Sequence, residues 1–135
     1  MNDVILNKAA SIERCVKRAR EEYRATDDFL NDYTRQDAAV LNIIRACEQS
    51  IDLANYLVRE HQLGLPNSSR ESFTLLAQAG WYPTSLSEAL EKMVGFRNVV
   101  VHEYQQVKIK IIQAVIERNL DSLLQFTQCV LTKSS

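Results

Sequence analysis

Two stretches of this chain repeat one apolar rhythm, and that rhythm leaves few folds open. Ile5, Ala9, Ile12, Val16, Ala19 and Tyr23 step by 4, 3, 4, 3 and 4 residues, and Val40, Ile44, Cys47, Ile51, Ala54 and Val58 repeat the same steps. Alternating threes and fours keep side chains on one stripe of an α-helix. Such a stripe is the seam along which a helix packs nearly parallel or antiparallel to a neighbour. A half-buried strand would need a period of two. Only 3 Gly and 2 Pro punctuate the 135 residues, too few for a turn-rich β fold. The length suits one helical domain, residues 1–135, with a sizeable core.

Boundary signals divide the chain further. The spacing predicts a first helix from about Asp3 to Asp32, bent near Thr26, and a second from about Arg35 to His61. Thr34 is a candidate N-cap for the second, with Asp37 as a weak capping-box partner, and Gly64 and Pro66 stop it. Ser68 and Glu71 open a short third helix that ends at Gly80, and Trp81-Tyr82-Pro83 staples the following link onto the bundle. Ser85 and Glu88 open a fourth, striped by Leu86, Ala89, Met93, Phe96 and Val100. A fifth runs from about Val107 to Thr132, with Ile109, Ile112, Ile116, Leu120, Leu123 and Val130 facing inward. Val99–Val101 and Val107–Ile111 have strand propensity, but their helical surroundings outweigh it. The expected fold is an all-α, up-and-down bundle of about five helices.

Composition excludes several function classes. A net charge of −1 and a pI near 6.1 give no overall electrostatic case for nucleic acid, so any RNA contact must be local. Arg14, Lys17, Arg18, Arg20 and Arg24 interleave with Glu13, Glu21 and Glu22, as on a solvated, salt-bridged face. Lys108 and Lys110 are better placed to meet RNA or an acidic partner, and an exposed helix start explains them equally well. Cys15, Cys47 and Cys129 are scattered, odd in number and without a C-x-x-C pair. They read as small buried hydrophobes in a reducing compartment, not as a disulfide framework or zinc site. No signal peptide and no apolar run of about 20 residues is present, so a cytoplasmic protein off the membrane is expected. Neither a metal nor a cofactor is expected.

The chemistry concentrates in Arg97-Asn98-Val99-Val100-Val101-His102-Glu103-Tyr104. His61, the only other histidine, has no partner nearby in sequence and suits a helix end. At about 100° per residue, Arg97 falls on the apolar stripe with Met93 and Val100. A guanidinium there must snorkel, pair with an acid such as Asp52, or line a cleft. His102 lies about 140° round and about 7.5 Å further along a straight helix. For both side chains to meet one ligand, the helix must end near Val101–Glu103, or two chains must combine their motifs. Tyr104 would return to the face of Arg97 if the helix continued. The residue types suit metal-free RNA cleavage. Arg97 would hold phosphate oxygens in a permanently charged fork, His102 would move protons near neutrality, and Asn98 would steady a hydroxyl or phosphate oxygen. The plainer alternative is two cations favouring a helix C-terminus, with Glu103 in solvent and Tyr104 a half-buried aromatic.

Arg97-Asn98-x-x-x-His102-x-Tyr104 resembles the R-x4-H-x-Y motif of HepT toxins, members of the HEPN superfamily, and the polar residue after the arginine is typical of them. The all-α layout, the second helix with Ile51-Asp52-Leu53-Ala54-Asn55-Tyr56-Leu57 and the long final helix extend the resemblance over essentially the whole chain. It implies a homodimer whose motifs face a shared cleft, and a metal-independent endoribonuclease toxin of a type II toxin–antitoxin system, with tRNA among the family's targets. It implies that Arg97 and His102 are catalytic and Asn98 auxiliary. A minimal nucleotidyltransferase (MNT) antitoxin is the implied partner, with AMPylation of Tyr104 as its means of control. The alternative is a non-catalytic RNA- or nucleotide-binding subunit of an MNT complex.

Overall fold

In the computed structural model, which describes residues 2–135, five helical rods pack side by side, and among the described residues there is no strand. Helix α1 spans Asp3–Arg24. The Asn2 side chain caps it by accepting from the Ile5 amide at 3.0 Å. Its predicted stripe is buried from Ile5 to Ala19, with Tyr23 half-buried. The helix stops at Arg24 rather than continuing to Asp32. Thr26 and Asp28 take local hydrogen bonds instead, Thr26 Oγ1 from the Asp28 amide and the Asp28 carboxylate from Asn31. Short polar side chains compete with the helix in this way. A single 3-10 turn, Phe29–Asn31, follows, and buried Phe29 meets Tyr23 edge-on at 4.9 Å.

Helix α2, Tyr33–Glu60, is the central rod and packs against α1 and against the third, fourth and last rods. Its N-cap is Asp32, not Thr34: the carboxylate accepts from the Arg35 amide at 3.1 Å. Thr34 lies inside the first turn, and Asp37 has no capping role. Burial extends beyond the predicted stripe to Ala39, Ile43, Ala46, Leu53 and Leu57, as a helix with neighbours on several sides requires. Buried Asn42 and Ser50 donate to carbonyls one turn back, Ala38 O at 2.9 Å and Ala46 O at 2.8 Å, so neither is left unsatisfied. Lys8–Asp52 at 3.5 Å and Arg35–Glu22 at 2.6 Å lie at opposite ends of the α1–α2 pair and make it antiparallel. The α1 charges thus pair across helices, Arg20 reaching Asp121 at 3.9 Å.

Ser68 caps helix α3, Ser69–Gln78, accepting from the Glu71 amide as the sequence predicts. The staple also forms. Trp81 and Tyr82 are buried, Trp81 meets His61 edge-on at 5.0 Å, and the Tyr82 hydroxyl donates to Phe73 O at 2.8 Å. Helix α4, Thr84–Glu103, starts differently from expectation. Ser85 is inside the helix, and the Pro83 carbonyl takes the Leu86 and Ser87 amides. Proline at the boundary already holds the required backbone angle and has no amide to satisfy. Leu86, Leu90, Met93, Val94 and Val100 are buried. Cys47 Sγ lies 3.8 Å from Met93 O, with α4 antiparallel to α2.

The last rod begins at Ile109, two residues later than predicted, and is not one uniform helix. It runs as α5, Ile109–Ala114, a π-helical turn, Val115–Asn119, and α6, Asp121–Ser134. Ile112, Ile116, Leu120 and Leu123 explain the insertion. Two consecutive steps of four drift about 80° off a 3.6-residue helix, and a wider turn brings them back to one side. All four side chains are buried, as is Val130.

Candidate active site

The last two turns of α4 hold the motif. Gly95 leaves room beside them: a Cβ there would sit 2.8 Å from Arg70 Nη2, so the Arg70 side chain lies across the helix at this point. Arg97 follows on the predicted stripe, half-buried between the buried positions Met93 and Val100. Its Nε is shielded from water and has no hydrogen-bond acceptor among the described residues. Asp52, the candidate acid, is paired with Lys8 instead, and no described carboxylate forms an ion pair with Arg97. The guanidinium lies close enough to the Cys47 thiol on α2 to act on it. Burial pushes that thiol up to about 12, and the positive charge of Arg97 only partly opposes the rise. Cys47 is therefore a neutral thiol, as its predicted core role requires. An unpaired guanidinium N–H in such a place costs stability, on the order of 1–3 kcal/mol for an unsatisfied buried donor.

His102 and Asn98 are exposed, four residues apart on one face of the helix. The helix does break, but after Glu103, where φ is −141° and ψ 43°. His102 is therefore still helical, and the rotation of about 140° away from Arg97 stands. Within one chain the break does not turn the imidazole toward the guanidinium. It redirects Tyr104, which enters a 3-10 turn, Tyr104–Gln106, and leaves the face of Arg97. Tyr104 is half-buried, and its hydroxyl donates to Asp37 Oδ1 at 2.5 Å. Burial, then the hydrogen bond and the charge of Asp37, raise the phenol to about 12. His102, Glu103, Tyr104, Gln105 and Gln106 line one surface depression of about 660 Å³. Lys108 and Lys110 are exposed just beyond it.

Sequence reasoning missed Asp37 as a member of this group. It sits 67 residues from Tyr104, and its position near a helix start gave it a ready explanation as a cap. A larger depression, about 710 Å³, lies at the other end of α2 between Asn55 and Ser69, away from the motif and without His or acid. Among the described residues no three His, Cys, Asp or Glu side chains cluster to hold a metal ion, and no helix is long and apolar enough to cross a membrane.

A helical bundle with Arg-x4-His closing its fourth helix has the architecture of HEPN toxins. The chain belongs to the ribonuclease HepT-like family, which it matches over residues 9–130, and is an endoribonuclease of that family. It is 46% identical to the mRNA nuclease HepT of Shewanella oneidensis over 130 residues, 96% of this chain and 98% of that protein. Its fold superposes on the tri-AMPylated Shewanella oneidensis HEPN toxin, solved in complex with MNT antitoxin, with TM-score 0.92 and 45% identity over 98% of this chain and 99% of that one. A toxin–antitoxin structure with AMP-PNP gives TM-score 0.90 and 45% identity, covering 96% and 99% of the two chains.

Proposed function

We propose that residues 1–135 act as one cytoplasmic domain, a toxin that cleaves RNA at Arg97 and His102 and is silenced by an MNT-type nucleotidyltransferase. The observation that carries this reading is the buried Arg97 Nε with no acceptor on the same helix as an exposed imidazole. A phosphate oxygen supplies the missing acceptor and neutralises the charge. His102 takes the proton of a ribose 2′-hydroxyl, whose oxygen attacks the adjacent phosphorus. The 5′-oxygen leaves, with a proton returned by an acid. Arg97 stabilises the extra negative charge of the transition state, and Asn98 holds a non-reacting oxygen. The nucleophile comes from the RNA itself, so the reaction needs no metal. Messenger RNA is the first substrate to test, since the relative from Shewanella oneidensis is named an mRNA nuclease, and tRNA the second.

The cleft is composite, built by a homodimer. Arg97 and His102 diverge along one unbroken helix, so convergence on a single phosphate requires a second chain. Val99 and Val101 flank the motif while half-exposed, at 50% and 49%, as residues awaiting a neighbour are. Mixing R97A and H102A chains tests this directly. Mixed dimers then hold one intact Arg97–His102 pair and recover part of the cleavage. No recovery, with mixed dimers verified by mass, would place both residues of each site in one chain.

Control falls on Tyr104. AMP groups attached there add bulk and phosphate charge beside His102, repelling the RNA backbone. The decisive experiment is cleavage of labelled RNA with excess chelator. Cleavage that persists, and is lost in R97A, supports the ribonuclease reading. Binding without cleavage favours the non-catalytic subunit.

A further inference from the structure

We propose that Asp37 on α2 is the proton acceptor that makes Tyr104 a nucleophile toward a nucleoside triphosphate. The inference rests on the modification of Tyr104 argued above. Two elements distant in sequence meet to form this pair: the 3-10 turn after α4 brings the phenol, and the second turn of α2 brings the carboxylate. Asp37 is exposed and caps nothing, and its described side-chain hydrogen bond is the one it accepts from Tyr104. His102 lines the same depression and is the competing base, but the phenolic hydrogen points to Asp37 Oδ1 at 2.5 Å. Glu103, the carboxylate that lines that depression, is exposed and forms no described bond to the phenol.

The chemistry needs such a group. A half-buried phenol beside a carboxylate stays protonated at neutral pH, so it must lose its proton as it attacks. In the step, the Tyr104 Oη–phosphorus bond forms at the α-phosphorus while the bond to the pyrophosphate oxygen breaks. The phenolic proton passes to Asp37 and then to water, and pyrophosphate departs. Asp37 also fixes the direction of the phenol, holding Oη at one point on the rim of the depression for an enzyme that approaches from outside.

The test uses the full chain with its own MNT-type partner, Mg2+ and ATP, following AMP on the Tyr104 peptide by mass spectrometry. D37N keeps an acceptor for the hydrogen bond but cannot take the proton. It should slow transfer about 100-fold with KM for ATP within about twofold. Its rate should climb with pH where the wild-type rate is flat, and D37E should recover part of it. A D37N rate within twofold of wild type, on wild-type chain shown to be modified at Tyr104, overturns the role of Asp37 alone. A wild-type chain never modified at Tyr104 overturns the modification reading itself. Should D37N melt early, the D37E rate decides: loss of transfer in a chain with a wild-type melting curve overturns simple proton acceptance.

Discussion

Tyr82 precedes helix α4 and Tyr104 follows it. Both phenols donate one hydrogen bond, and burial is the first cause of a raised pKa in both. Tyr82 is 6% exposed and donates to a main-chain carbonyl, Phe73 O, while packing edge-on against Phe126. A main-chain carbonyl does not take its proton. Tyr104 lies at the rim of a depression and donates to a carboxylate. The same group thus locks the bundle at one end of the helix and is available for chemistry at the other. The acceptor and the depth of burial, not the tyrosine itself, make the difference.

The intervening helix divides in the same way, with Leu86, Leu90, Met93 and Val94 sealed in the core and Asn98, Val99, Val101 and His102 exposed. The largest effect should come from its exposed end. H102A should lower RNA cleavage by about 100-fold or more, and R97A by about 100- to 1000-fold, with unchanged helical circular dichroism. Full cleavage by H102A would remove the chemical half of the contrast. Next, Y82F should cost about 1–2 kcal/mol in urea unfolding while leaving RNA cleavage intact. Y104F should cost under about 0.5 kcal/mol, keep cleavage and escape silencing by the partner. Equal losses from both would mean that Tyr104, too, is a structural lock.

Alkaline titration sharpens the comparison further. Folding raises the Tyr104 phenol from an ordinary value of about 10 to about 12, so the protonated form is favoured in the native state. The resulting stability is fully present below about pH 10 and is lost as pH rises through about 12. Y104F should therefore flatten the decline in stability over that window, and D37N should move the phenol's absorbance titration back toward pH 10. Tyr82 is shifted in the same direction and further, so Y82F should flatten a larger part of the decline. A gain in stability instead of a loss is expected at Gly95, between the two halves of α4. G95A gains helix propensity, up to about 1 kcal/mol. The new Cβ meets only the end of the flexible Arg70 side chain, which can move, so a slightly higher Tm is expected.

Much of this contrast was already legible in the chain. The 4-3-4 stripes marked α1 and α2, and Ser68 with Glu71 marked the start of α3. The burial of Trp81 and Tyr82 followed from their place in a short link between helices. The motif itself was visible because Arg97 interrupts an apolar stripe. Misread features shared a cause. Asp32, Thr34 and Asp37 are all plausible caps by residue type, and Ser85 competes with Pro83, so short-range chemistry alone did not separate them. The π turn lay hidden in a 4-4-3 spacing that resembles an ordinary helix.

By itself the sequence determined the helices, their inward faces and the cluster of reactive side chains, because each depends on neighbours three or four residues away. Only the tertiary structure decided that Arg97 has no acid partner, that Asp52 belongs to Lys8, and that the phenol of Tyr104 meets Asp37. Those outcomes depend on which turns of separate helices come level when α2 packs antiparallel to α1 and α4. Periodicity specifies a face but not the height at which it meets its neighbour.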